Sequence, residues 1–510
     1  MQGRKDYTEK LFTSFQLSNR VPKENLYRRL RETLDLSFLY KDTKELYGNT
    51  GNPSIDPVVF FKLLLTGYLE NITSDRKLVE HCSMRMDVLY FLGFDIDEEL
   101  PWHSTVSRTR QLYPIALFET LFNKVFTLCV NSGMVSGHTQ AVDSAPVKAN
   151  ASMESLVLKV PVNSVENHLQ KVEEDNQDPK KKNDPPLRES YISAPGHQLR
   201  KLEKHQQNLR DSPKGPPGSF HEKAQLLSNK THYSPHDPDA RVSVKPGKAR
   251  KMNYRCSMAV DTAEGVISHV QADFADGRDS QYLPEITRQL QNRLKENELR
   301  MNDLLADTGY SNGSNYSFLE QKGITGWVPV FGMYKPVSPD FIYNPETDQY
   351  TCPAGKPIPF KKFDHTDDGR MLKKYWSAPK DCKLCPLKNS CIPDIHYKRI
   401  TRTPYDEQYQ KAHDRQQSKR GRQMKKLRQS TVEPIFGSLI YYYGLSKIGV
   451  LGKAGAHKVM LLAAIAFNLK KYLKKGGRKP SRLNFKGIIQ DFEQALFGLI
   501  TFLISPYQFS

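Results

Sequence analysis

The sequence predicts a mixed α/β protein, a sheet flanked by helices and preceded by an all-helical region. Three observations carry that expectation. Short apolar segments end at Asp143 and at Asp307, each followed by small or turn-forming residues, and read as buried strands. Between them, residues 252–272 hold two alternating segments around Asp261-Thr-Ala-Glu-Gly265, the pattern of a β-hairpin. Upstream, residues 20–130 repeat their apolar positions at helical spacing.

Composition narrows the class of partner. The chain has 510 residues, enough for two to four domains, and 38% of them are hydrophobic, enough for a core. Its net charge of +19 favours a polyanion such as nucleic acid, with a basic protein lacking a specific partner as the plainer alternative. The opening residues show no apolar signal segment, and the longest apolar runs, 459–469 and 495–504, are too short to span a bilayer. Seven cysteines in so long a chain, four of them clustered late, argue against a secreted disulfide scaffold. The expectation is a cytoplasmic, nucleoid-associated protein with no membrane role.

In chain order, helices are expected over 25–36, 58–69, 77–88 and 115–130, with Asn71, Ser74 and Ser104 offering cap oxygens. Ser104–Gln111 reads as the start of a recognition helix, with Arg108 and Arg110 placed for phosphates or base edges; the alternative is a solvated basic face. Residues 152–250 are polar and Pro-rich and cannot build a core, though 199–209 fits a short amphipathic helix. After the hairpin, helix 281–297, a strand ending at Asp307, helix 314–322 and strand 327–330 complete an α/β succession. Asp261, Asp273, Asp276 and Asp279 rival the other acids, but the first belongs to a turn and the last to a helix start.

Residues 335–410 interrupt this pattern and contain Cys352, Cys382, Cys385 and Cys391. A Cys-x-x-Cys pair with two further cysteines suits a structural Zn²⁺, although 29 residues separate Cys352 from Cys382. Reduced buried thiols and a redox pair are the alternatives. Arg415, Lys419, Arg420, Arg422, Lys425, Lys426 and Arg428 then lead directly into Glu433, placed to hold DNA phosphates. Ser430 as an N-cap with Glu433 three residues on would start a new helix; otherwise Pro434 kinks a longer one. The last ordered helix is expected over 457–473, with His457 in a capping or packing role.

Asp143, Asp307 and Glu433, on strand, strand and helix, are oxygen donors suited to two divalent ions and phosphate-ester chemistry. Four stretches resemble the DDE transposases of bacterial insertion sequences, over roughly residues 10–470: Pro101-Trp-His-Ser-Thr-Val-Ser-Arg108, Ala141-Val-Asp-Ser-Ala145, Ala306-Asp-Thr-Gly-Tyr-Ser311 and Thr431-Val-Glu-Pro-Ile-Phe-Gly437. The resemblance implies an RNase H-like core in which Asp143, Asp307 and Glu433 are catalytic and bind Mg²⁺, with Mn²⁺ able to substitute. It also implies double-stranded DNA partners (terminal inverted repeats and target) and a homodimer or larger assembly on paired ends. Gln429 and Ile440 stand where some members of the family carry Arg and Lys around the glutamate, so the carry-over rests on Glu433 itself. A non-catalytic DNA-binding relic and a metal-dependent nuclease of the same fold remain the rivals. The expected partition is a helical DNA-binding region (1–135), the first core strand (136–151), a polar, partly flexible insertion (152–250), the continued core (251–334), a Cys-rich insertion (335–410), the Glu-bearing and closing helices (411–475) and a tail (476–510).

Overall fold

The computed structural model describes residues 14–48, 54–161, 191–192, 228–229, 231–243, 250–331, 337–365 and 371–476. The expected helix at 199–209 and the apolar run at 495–504 lie outside the described residues.

The N-terminal region is helical: α1 (Leu26–Thr33), α2 (Phe38–Thr43), α3 (Pro57–Leu69), α4 (Asp75–Ser83), α5 (Met86–Leu92), α6 (His103–Leu112) and α7 (Ile115–Asn131). Two of these start on side-chain caps. Asn25 accepts from the Tyr27 and Arg28 amides and Asp56 from the Val58 and Val59 amides, which satisfies donors a helix start leaves open. The expected helix at 77–88 is two helices, α4 and α5, broken at Met84 and Arg85. None of the three expected caps bonds the start of the helix expected after it. Ser74 stands before α4 without capping it, Ser104 lies inside α6, and Asn71 bonds the distant Tyr441 carbonyl and Gly444 amide.

The sheet supplies the platform. Its strands are β1 (Thr139–Lys148), β2 (Arg241–Ser243), β3 (Lys251–Asp261), β4 (Val266–Phe274), β5 (Asp303–Leu305) and β6 (Thr325–Trp327). They run in the order β6-β5-β1-β3, with β2 and β4 pairing along one edge of β3 at its two ends. β6, β5 and β1 are parallel, and β3 and β4 are antiparallel to their neighbours. The β3–β4 connection turns at Gly265, whose φ of +67° only glycine adopts readily. This is the mixed sheet of an RNase H-like core.

Helices α8 (Asp279–Glu296) and α9 (Gly313–Gln321) follow β4 and β5. Residues 337–402 form a separate antiparallel sheet: β7 (Ile342–Asn344), β8 (Gln349–Thr351), β9 (Pro357–His365), β10 (Met371–Trp376) and β11 (Arg399–Arg402). Short helices α10 (Pro379–Lys383) and α11 (Lys388–Cys391) lie between β10 and β11. The chain then runs through α12 (Asp406–Gln417), α13 (Lys419–Tyr442) and α14 (Gly452–Gly476).

One apolar core joins the helical region to the main sheet, including Phe118 and Phe122 of α7, Val142 of β1, and Leu461 and Ile465 of α14. α14 also closes the sheet edge. Asn468, fully buried, accepts from the Ile267 amide and donates to its carbonyl, so β4 keeps no open backbone pair there. Among the described residues no single helix is long and apolar enough to cross a membrane.

Candidate active site

β1 and β5 pair from Thr139↔Asp303 to Ala141↔Leu305, and the ladder then stops. The same register carried two residues further sets Asp143 opposite Asp307. Neighbouring strands lie about 4.8 Å apart, so the two carboxylates begin beside each other where the strands part. Asp143 is therefore not at a strand end, as its local pattern suggests. β1 continues to Lys148 against β3, and Asp143 sits at its middle. What ends there is the parallel partner.

Asp143 is mostly buried and Asp307 is exposed. Burial pushes the Asp143 carboxyl above its ordinary value; Arg428 and the Ser144 amide oppose that shift, and the nearby Asp307 adds to it. Asp307 accepts from the Thr308 amide at 2.7 Å.

The third acid arrives on α13, which packs against β1. This helix starts at Ser418, whose hydroxyl accepts from the Gly421 amide, and runs unbroken through Pro434. No new helix starts at Ser430; its hydroxyl donates to the Leu427 carbonyl. Arg428 joins the acids. Its Nη1 donates to Asp143 Oδ2 at 2.7 Å and its Nη2 to Glu433 Oε1 at 3.4 Å. Its side chain is only 8% exposed, so it faces carboxylates rather than solvent.

A fourth acid braces this arrangement. Asp279, at the start of α8, accepts from the Ser144 hydroxyl and the Arg255 guanidinium. Its other oxygen would lie 2.8 Å from a Cβ built on Gly309. It thus touches the residue after Asp143 and the second residue after Asp307. Tyr310 is fully buried beside Asp143 and Ser144, and burial pushes its pKa up. Asp279 reads locally as a helix start, and nothing nearby in sequence signals its contact with Ser144, 135 residues away. Gly309→Ala is expected to force Asp279 off Ser144 and Arg255, costing about 1–3 kcal/mol. Urea unfolding of the variant checks this; an unchanged midpoint would show the turn absorbs the methyl.

The remaining acids that rival the three are accounted for locally. Asp261 is buried and accepts from the Gly137 amide at 2.8 Å and Gln140 Nε2 at 2.6 Å. Asp273 accepts from Ser257 and Gln271, and Asp276 lies 3.7 Å from Arg241. His457 lies 3.1 Å from Glu119 in a packing position.

The basic residues divide. Lys419, Arg420, Arg422, Lys425 and Lys426 are exposed on α13. Arg422 and Lys426 precede Glu433 by three turns and two turns, so they share its helix face. Arg108 is exposed, whereas Arg110 is held by both oxygens of Asp75, at 2.8 and 2.5 Å. Arg415 is half-buried beside Tyr316 and Glu320.

Among the described residues, no group of three or more His, Cys, Asp or Glu side chains stands close enough together to hold a metal ion. The chemistry of the donors nevertheless fits one. All three are carboxylates, the ligands of hard divalent ions, and the buried Asp143 already draws in a cation, Arg428.

Residues 15–112 match the family model described as Transposase domain (DUF772), and residues 351–473 the one described as Transposase DDE domain. Both matches are to transposase domains: the first covers the N-terminal helices, and the second, a DDE domain, covers Arg428 and Glu433. No curated protein matches. A solved structure, the cryo-EM structure of a piggyBac transposase synaptic complex with hairpin DNA, aligns at 11% identity with a TM-score of 0.28, over 95% of this chain and 81% of that chain. A likeness that weak supports no inference.

Proposed function

We propose that this transposase cuts DNA at the ends of an insertion sequence and joins the freed 3′-ends to target DNA. The observation that supports the reading is that Arg428 links Asp143 to Glu433, with Asp307 near Asp143, next to one exposed basic helix face. Water attacks the phosphodiester and releases a 3′-hydroxyl; that hydroxyl then attacks a target phosphodiester, exchanging one P–O bond for another. Bound Mg²⁺ or Mn²⁺ would supply the charge that activates the attacking oxygen and stabilises the leaving one.

The chain's own residues hold and align. Asp143 fixes one donor on the rigid sheet, Asp307 offers a second just past the end of β5, and Glu433 brings the third from α13. Arg428 neutralises the acids in the free protein and exchanges to a DNA phosphate on binding, where its planar fork suits two oxygens. The α13 stripe leads the phosphate backbone toward the acids. The helical region (1–135) contributes to end recognition, with 136–151, 251–334 and 411–475 as catalytic core, and pairing of two ends calls for a dimer or larger assembly.

The testing experiment incubates end-labelled DNA flanking the gene with the protein and Mg²⁺ or Mn²⁺, with and without target DNA. Cleavage followed by joining is expected. Cleavage without joining would make it a nuclease, and binding without cleavage a relic. The double variant Arg422→Ala/Lys426→Ala is expected to weaken binding of every DNA sequence alike. The slope of log affinity against log salt should fall by about one per residue. Filter binding across a salt series measures it, and a changed sequence preference would place these residues on bases instead.

A further inference from the structure

The sheet of residues 337–402 is short of core. Its buried cluster is Tyr350, Ile358, Tyr375 and Ile400, separate from the main core. The segment joining β10 to β11 is poorer still: neither α10 nor α11 buries a residue, Leu384 is 89% exposed, and Ile392 is its one buried apolar side chain. A unit of this size with so little apolar burial ordinarily needs a cross-link or a metal.

We propose that Cys352, Cys382, Cys385 and Cys391 bind a single zinc ion that fastens this segment to the sheet. All four cysteines line one cavity of about 40 Å³, together with Phe341, Ile358 and Ile392. Three elements bring them there: the β8–β9 turn, the end of α10 with the second residue after it, and the end of α11. Around Cys352 the backbone wraps the sulfur. Gly355, at φ +74°, donates to the Cys352 carbonyl at 2.8 Å, and the Lys356 amide donates to Cys352 Sγ at 3.3 Å. Ser377 Oγ lies 3.1 Å from Cys382 Sγ. Such contacts can persist when a sulfur ligates a metal, and they hold it in orientation.

Charge and size agree. A zinc ion with four thiolates carries a net double negative charge, and Lys356, Lys388 and Lys398 line the same cavity to offset it. A water needs roughly 10–15 Å³, so a space of about 40 Å³ has room for one ion. The sulfurs do not stand at ligand distance as placed; binding draws them inward by side-chain rotation to about 2.3 Å from the metal. The other three cysteines differ in kind. Cys82, Cys129 and Cys256 are buried in the main core, where burial pushes the first two thiols up to about 12 and the third higher. They are packing residues.

The test measures the metal content of the full-length protein and, after stripping, its cobalt spectrum. One zinc per chain is expected, with intense thiolate-to-cobalt charge-transfer bands. Cys385→Ser and Cys352→Ser should lose both, and Cys129→Ala should keep them. Because a serine variant can fail to fold, the wild-type protein provides a second readout. Stripping its zinc should open residues 379–396 to protease while the main sheet stays protected, and adding zinc back should close them. Protein without zinc that gives no thiolate bands with cobalt overturns the proposal. So does a brown, iron-containing preparation, which would mean a cluster instead of a single ion.

Discussion

Asp143→Asn and Glu433→Gln are both expected to abolish strand cleavage, and only the first should destabilise the metal-free protein. Each amide keeps the shape of the acid and removes its charge. If the acids hold divalent ions, either change should lower cleavage by more than about a hundredfold, beyond what loss of an outer contact to a metal site costs. DNA binding should be largely retained, because the exposed basic stripe is untouched. Stability separates the two. Arg428 is 8% exposed and its closer partner is Asp143, at 2.7 Å; Glu433, at 3.4 Å, is 57% exposed. Asp143→Asn leaves a buried guanidinium with one distant, solvated partner, at a cost of about 1–3 kcal/mol. Glu433→Gln leaves the Asp143–Arg428 pair intact. Urea unfolding in chelator measures the difference, and cleavage assays in Mg²⁺ measure the shared loss. Equal midpoints for both variants would mean that Arg428 does not depend on Asp143. Normal cleavage by Glu433→Gln would remove that residue from the site.

The order of the acids was readable because each lies in a locally patterned stretch, two apolar strands and one basic helix. Their geometry was less so. Asp143 reads as a strand end because the apolar run stops there, yet β1 continues through Ser144, Ala145 and Pro146 with only half-buried side chains. The neighbour on one side has ended, so that face no longer demands apolar residues and a proline is tolerated. α13 likewise passes through Pro434, where local rules predict a start or a kink. Packing of Val432, Ile435, Phe436 and Leu439 into the core outweighs the lost backbone bond. The main-sheet helices needed only small boundary changes, since long periodic segments declare themselves. What local pattern could not supply was Asp279 as a brace or Arg428 as a counter-ion. Those roles depend on contacts with Ser144 and Asp143 that span 135 and 285 residues.

Arg293→Met is the other large expected effect, and it falls on stability. Arg293, on α8, is buried and reaches four partners: Glu119 at 2.8 Å, Asn123 at 2.6 Å, the Ser268 carbonyl at 3.1 Å and His269 Nδ1 at 2.7 Å. Its guanidinium also stacks 4.7 Å from the Phe122 ring centroid. It therefore ties α7 and α8 to β4 where the helical region meets the sheet. Methionine fills similar volume but removes the charge, leaving Glu119 with His457 alone. Breaking a buried pair from one side costs about 3–5 kcal/mol. The same cluster makes stability depend on pH. Burial, then the charge of Arg293, holds His269 down to about 3 from an ordinary 6.5. The unfolded chain takes up this proton below about pH 6.5 and the folded chain does not until near 3, so stability is full above that window and falls as pH drops through it. Glu119 acts in the same direction at lower pH. Burial alone would raise its pKa, but the hydrogen bond from His457 and the charge of Arg293 hold it below the ordinary range. Its contribution is lost as the acid protonates. In Arg293→Met the histidine loses its repelling cation, so the decline between pH 6.5 and 3 should become shallower even though the protein is weaker at neutral pH. Urea midpoints for both proteins across that range measure the effect. Parallel curves would show that Arg293 stabilises by packing alone and does not control the proton on His269.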